Sequence, residues 1–145
     1  MESKSQNKFI LVGCGALIIN DKNEVLLLLR SKDLENEGGM WARPGGKLEF
    51  GETVEEAVAR EVMEELGVVI KVEKILEVTS IISPKKGTHW VALGYLARII
   101  SGTPKNMEPS KSDEVKWFPI NSLPKNTSNY TINAVSAYLK MRALK

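Results

Sequence analysis

Apolar and polar residues fall in blocks along this chain, and the period changes from block to block. Residues 9–19 are almost unbroken apolar sequence with Gly13 and Gly15 inside it. That pattern predicts a buried strand closely approached by another backbone. Residues 20–23 (NDKN) are a turn by composition, and residues 24–30 (EVLLLLR) form a second apolar run. The two runs predict a hairpin or a pair of neighbouring strands. Residues 31–39 are charged and end in glycine, which predicts an exposed loop, and residues 41–46 (WARPGG) form a stiff turn. The period then becomes helical. Val58, Val62 and Leu66 fall on one stripe with Ala59 and Met63 beside them, at about 100° per residue. Thr53 is the predicted N-cap, Glu56 stands three residues later as in a capping box, and Gly67 terminates the helix. Strand-like stretches follow over 68–83, 89–100 and 113–119, separated by a Pro84–Gly87 turn and a polar loop at 101–112. Residues 131–144 carry Ile132, Val135, Tyr138 and Leu139, which predicts a terminal amphipathic helix. The order predicts an α/β fold: a mixed sheet with helices packed on its faces.

Composition narrows the class. At 145 residues the chain is expected to form one domain over residues 8–145, preceded by a polar tail at 1–7. It is 43% hydrophobic and 26% charged, ordinary for a globular protein. A net charge of +2 gives no reason to expect polymeric nucleic acid or a membrane surface as partner. The single cysteine, Cys14, cannot form an internal disulfide and is expected as a buried thiol. No window approaches the roughly 18 apolar residues of a membrane span. The first residues lack an apolar core behind a basic start. A cytoplasmic protein is the expectation.

The chemistry concentrates in residues 46–68, GKLEFGETVEEAVAREVMEELGV. Glu61, Glu64 and Glu65 share the face of the helix away from the apolar stripe, at i, i+3 and i+4. Like charges at that spacing destabilise a helix unless a cation joins them. Hard divalent cations take carboxylate oxygens and commonly share them with phosphates. The alternative is a solvated acidic face, and that is the reading for Glu55 and Glu56. Asp113 and Glu114 are surface residues unless a loop brings them in. If repulsion dominates, Glu64→Gln raises the melting temperature of the metal-free protein.

Gly46, Glu52, Arg60-Glu61, Val62, Glu64-Glu65, Gly67 and Val68 stand at the spacing of the Nudix box. The chain resembles the Nudix hydrolase family through these residues, through the PGG before them and through EVKWFPINSLP after them. The resemblance implies an α/β/α sandwich around a mixed sheet, with the box as loop–helix–loop. It implies hydrolysis of a nucleoside diphosphate linked to another group, with Mg²⁺ or Mn²⁺. Carried over, Glu61 and Glu65 are the foremost metal ligands and Glu64 the next, while Glu52 and Arg60 brace them. Gly45 and Gly46 would approach the substrate. The stretch looks most like MutT-type enzymes, which cleave nucleoside triphosphates to monophosphate and pyrophosphate. ADP-ribose or another nucleoside diphosphate sugar is the alternative, because Pro84 lies at a spacing common among ADP-ribose pyrophosphatases. A sensor that binds a nucleotide without cleaving it is a remote third reading. The resemblance also allows a homodimer.

Other residues have two readings. Arg43 replaces the commoner apolar residue before PGG, and either contacts a substrate phosphate or points to solvent. Trp41, Trp90 and Trp117 are expected in the core, though any flat face could stack a base. His89, the only histidine, is expected in a structural or surface role and not in catalysis.

Overall fold

The structure, a computed structural model, describes residues 8–144. The polar tail expected at 1–7 lies outside the described residues. Nine elements run in the order β1 (Ile10–Ile18), β2 (Glu24–Arg30), β3 (Trp41–Ala42), β4 (Gly45–Lys47), α1 (Val54–Leu66), β5 (Val69–Ser83), β6 (Thr88–Ser101), β7 (Ser112–Pro119) and α2 (Asn129–Ala143).

The strands make two sheets. One has the order β4-β1-β6-β5 and the other β3-β2-β7. β1 and β6 pair in parallel while β4 and β5 join them antiparallel, so the first sheet is mixed. The hairpin expected of β1 and β2 does not form. They meet at a single bridge, Ile19 with Val25, and then diverge into different sheets. The reason is burial on both faces. Alternate residues of each strand enter opposite cores, and each strand finds partners elsewhere in the chain.

Cys14, Ala16, Ile18, Leu26 and Leu28 pack with Val58, Val62 and Leu66 of α1. Leu17, Ile19, Val25 and Leu27 pack with Ala134, Val135 and Tyr138 of α2. The result is helix, sheet, helix: the expected α/β/α sandwich. Each fully buried Val or Leu contributes about 1.5–3 kcal/mol, so the inner face of α1 is a major part of its stability.

Helix α1 begins and ends as its sequence predicts. The Glu56 amide donates to Thr53 Oγ1 at 3.1 Å and the Thr53 amide donates to Glu56 Oε1 at 2.9 Å. Gly67 takes φ 70°, and its N–H donates to the Met63 carbonyl. The buried stripe is Ala57, Val58, Val62 and Leu66; Met63, expected beside it, is exposed. Helix α2 buries Val135 and Tyr138 as expected but is turned so that its other two expected apolar positions leave the core. Thr131, Ala134, Val135 and Tyr138 are buried, whereas Ile132 and Leu139 face outward. Thr131 turns inward because its hydroxyl has work there: it accepts from the Arg43 amide at 3.0 Å and bonds Ser128 Oγ at 2.7 Å. Trp41 N–H donates to the Asn126 carbonyl, and Ser128 N–H to that of Trp41. The start of α2 is thus stapled to the WARPGG turn. Among the described residues no helix is long and apolar enough to cross a membrane.

Candidate functional site

Arg60 organises the acidic face of α1. Its Nε and Nη2 donate to the two oxygens of Glu52 at 2.9 and 2.7 Å. This is a bidentate fork, a geometry that lysine cannot make. Nη1 reaches Glu61 Oε2 at 3.1 Å and Glu64 Oε1 at 3.3 Å, and Nη2 also donates to the Lys47 carbonyl. The Arg60 guanidinium holds the Glu52 carboxyl down at about 2, with the Glu49 amide assisting. One cation therefore ties the loop before the helix to two of the three clustered carboxylates.

Glu61 and Glu65 sit differently. Burial raises the proton affinity of Glu61 above the ordinary carboxylate value despite Arg60. Burial pushes Glu65 up to about 8, opposed by the Gly45 N–H, which donates to Glu65 Oε1 at 2.8 Å, and reinforced by the charges of Glu61 and Glu108. These residues occupy the last turns of α1, where the helix dipole is negative and no basic residue stands. Positive charge is what this corner lacks.

Glu108 is the member that the sequence reading missed. The loop after β6 folds back on α1: Lys105 N–H donates to the Leu66 carbonyl at 3.1 Å and Met107 N–H to the Glu65 carbonyl at 3.0 Å. Those bonds satisfy carbonyls that the helix end leaves open. They also bring Glu108 close enough to act on Glu61 and Glu65. Asp113 and Glu114 instead stay exposed on β7. Nothing in the polar loop of residues 101–112 marks Glu108 in advance, because its position follows from helix capping across the fold.

Among the described residues no three His, Cys, Asp or Glu side chains form a ready-made metal cage. Arg60 holds Glu61 and Glu64 from one side and Gly45 holds Glu65 from another. The donor chemistry nevertheless fits a hard divalent cation. All the clustered groups are carboxylates, and two of them are raised towards neutrality by burial. Glu64 differs from its neighbours in being half exposed and bonded only to Arg60. Its charge acts on Glu61, adding to the burial that raises that carboxyl.

A cavity of about 680 Å³ opens at the same edge of the sheet. Gly45 and Gly46 belong to both features: they line the cavity and lie against Glu65 and Glu61. Arg30, Lys47 and Lys86 supply positive charge to its lining, and Trp90 and Tyr130 supply flat faces. Arg43 lines it too, yet the side chain is only 4% exposed. The solvent-facing reading of Arg43 is therefore wrong. The guanidinium lies over the Tyr130 ring at 4.7 Å and faces Glu77 at 3.8 Å. Of the three tryptophans, Trp41 is buried edge-on against Phe118, Trp117 packs beside the α1 core, and Trp90 alone lines the cavity. His89 sits half-buried near the start of β6, and Cys14 is buried with its thiol raised to about 11 by desolvation.

The model of the NUDIX domain matches residues 10–137. The chain is 38% identical over 108 residues to an ADP-ribose pyrophosphatase of Methanocaldococcus jannaschii, covering 74% of this chain and 62% of that protein. It is 34% identical over 111 residues to a human 8-oxo-dGDP phosphatase, covering 75% of this chain and 32% of that one. The matched segment thus spans less than two thirds of either relative. Among solved structures, a MutT NUDIX hydrolase from Burkholderia pseudomallei superimposes with a TM-score of 0.83 at 39% identity, covering 89% of this chain and 98% of that one.

Proposed function

The chain belongs to the NUDIX family, and from that premise we propose that it is a divalent-metal-dependent pyrophosphohydrolase that cleaves nucleoside triphosphates to monophosphate and pyrophosphate. The observation that carries this reading is the shared edge. Gly45 and Gly46 separate the carboxylates of α1 from a nucleotide-sized cavity by one strand. A substrate seated in the cavity would extend its phosphates across two residues without side chains to the acidic corner.

Glu61, Glu65 and Glu64 would hold Mg²⁺ or Mn²⁺, with Glu108 beside them. Bound there, the cation would neutralise phosphate oxygens and acidify a water. The chain's own residues supply the rest. Arg60 fixes the positions of Glu61 and Glu64, and Glu52 fixes Arg60. Lys47, Arg30 and Lys86 attract an anionic substrate to the opening. Cation binding there would favour the ionised form of Glu65, its proton passing to solvent.

A second reading has specific support. The archaeal relative is named an ADP-ribose pyrophosphatase, and Pro84 stands where many such enzymes carry proline. Pro84, however, closes the turn between β5 and β6, accepting from Gly87 N–H at 3.2 Å, and that role suffices to explain it. A hydrolysis panel with Mg²⁺ separates the readings. Monophosphate plus pyrophosphate from a triphosphate, abolished in Glu61→Gln and Glu65→Gln, is expected. AMP plus ribose 5-phosphate from ADP-ribose, with triphosphates untouched, would replace the leading reading with the second.

A further inference from the structure

The floor of the cavity contains a contradiction. Arg43 and Glu77 are 96% and 92% removed from solvent, at 4% and 8% exposure, yet no hydrogen bond joins them. Among the described residues Arg43 Nε and Glu77 Oε1 have no hydrogen-bond partner. Among the described residues the Arg43 guanidinium makes no hydrogen bond, only the 3.8 Å approach to Glu77 and the contact with Tyr130. Burying an ion pair in such geometry costs more than its attraction returns. Native structures satisfy buried polar groups, and an exception asks for a reason.

The fold has been arranged to make room for this pair. Gly45, Gly15, Gly94 and Glu77 stand in one line across four strands of the sheet. A Cβ on Gly15 would lie 1.9 Å from Arg43 Nη1, and one on Gly94 would lie 2.4 Å from Glu77 Oε1. Gly15 and Gly94 leave a trough that the charged pair fills, while Gly45 lets β4 approach the backbone of β1, where a Cβ would lie 2.4 Å from the Cys14 carbonyl oxygen. Beside it, Thr79 donates to Glu77 Oε2 and accepts from Asn133 Nδ2 at 3.1 Å. Arg43, Thr79, Asn133, Trp90 and Tyr130 all line the cavity, whereas Glu77 is not part of its lining.

We propose that Arg43 is a specificity-determining residue, donating from the cavity floor to a ring carbonyl of an oxo-bearing nucleobase, with Glu77 as the positioning residue that neutralises it. This rests on the proposed reading that the cavity receives a nucleotide. Charge decides the type of ligand group. A phosphate on Arg43 would be buried against the Glu77 carboxylate. A carbonyl takes the guanidinium donors and adds no charge. The flat faces of Trp90 and Tyr130 suit a ring, and the Asn129 and Asn133 amides suit its remaining edge. The cations of the lining, Arg30, Lys47 and Lys86, are left to the phosphates.

Inosine and adenosine monophosphates differ at position 6 of the ring, oxo in one and amino in the other. Their binding to the full chain without metal can be followed by tryptophan fluorescence, since Trp90 lines the cavity. The intact protein is expected to prefer inosine monophosphate by about tenfold or more, the value of a hydrogen bond to a charged group. Arg43→Met alone strands Glu77, so the double variant Arg43→Met/Glu77→Gln is paired with it, and folding is checked by thermal melting. The preference should vanish in the double variant. Glu77→Gln alone should keep the preference and bind pyrophosphate more tightly, because the Arg43 charge is then uncompensated. Equal binding of the two nucleotides by the intact protein overturns the proposal. So does a preference that survives the double variant, or Arg43 variants that lose pyrophosphate in place of base discrimination. A silent hydrolysis panel beside intact base discrimination would sink the proposed activity and leave this site standing.

Discussion

Glu65→Gln should remove most of the pH dependence of the metal-free protein's stability. Glu65 rises from the ordinary 4.5 to about 8 because it is buried beside Glu61 and Glu108. A carboxyl raised in the folded state binds its proton more tightly folded than unfolded. Its contribution is fully present below about 4.5 and is lost as pH climbs to about 8. At about 1.4 kcal/mol per tenfold change in proton affinity, the full loss is on the order of 5 kcal/mol. That is an upper bound, since local relaxation reduces it. A domain of this size shifts its melting temperature by roughly 2–4 °C per kcal/mol, so a fall of about ten degrees between pH 5 and pH 8.5 is expected in chelator. Glu61, raised in the same direction, adds to it. Glu52, held at about 2, titrates outside this window. Glutamine at position 65 keeps an oxygen for the Gly45 amide and removes the titration, so most of the slope should disappear. Saturating Mg²⁺ should also flatten the slope by holding Glu65 ionised. The assay is thermal unfolding by circular dichroism over that range, with and without Mg²⁺. A flat profile for the unsubstituted protein, or an unchanged slope in Glu65→Gln, would refute the electrostatic account of this corner.

Glu64→Gln should leave the metal-free melting temperature unchanged or lower it by less than about 1 kcal/mol equivalent, because it loses an exposed contact with Arg60; the rise expected from simple repulsion would show that Arg60 does not neutralise it. Gly46→Ala places a methyl 2.4 Å from the Glu61 carboxyl carbon. It should weaken Mg²⁺ binding at least tenfold by calorimetry while the fold survives, since a side chain yields more easily than backbone; unaltered affinity would remove Glu61 from the ligand set.

Much of the acidic corner was legible in the chain. The i, i+3, i+4 spacing of Glu61, Glu64 and Glu65 sets them on one face whatever packs around them, because helical geometry is local. The capping box at Thr53 and the left-handed Gly67 are local for the same reason. So is the brace by Arg60, one turn from Glu64 and adjacent to Glu61. Elements with strong local preference kept it in the folded protein.

Tertiary structure decided what depends on contacts distant in sequence. Hydropathy chose Ile132 for the inner face of α2, but the bond from the Arg43 amide to Thr131, 88 residues away in sequence, set the rotation. Glu108 joined the carboxylates because its loop caps the end of α1. Strands β1 and β2 read as a hairpin or as neighbours, and they do meet at one bridge, yet each had two faces to bury and took separate sheet partners. Arg43 shows the division most clearly. Its sequence context left it free to be a surface cation. Only the glycines of β1 and β6 opened a trough deep enough to hold its charge, and only the sheet register put Glu77 beside them. A side chain's surroundings are fixed by register and packing, which couple residues far apart in the chain, whereas periodicity and capping act within a few residues of one another.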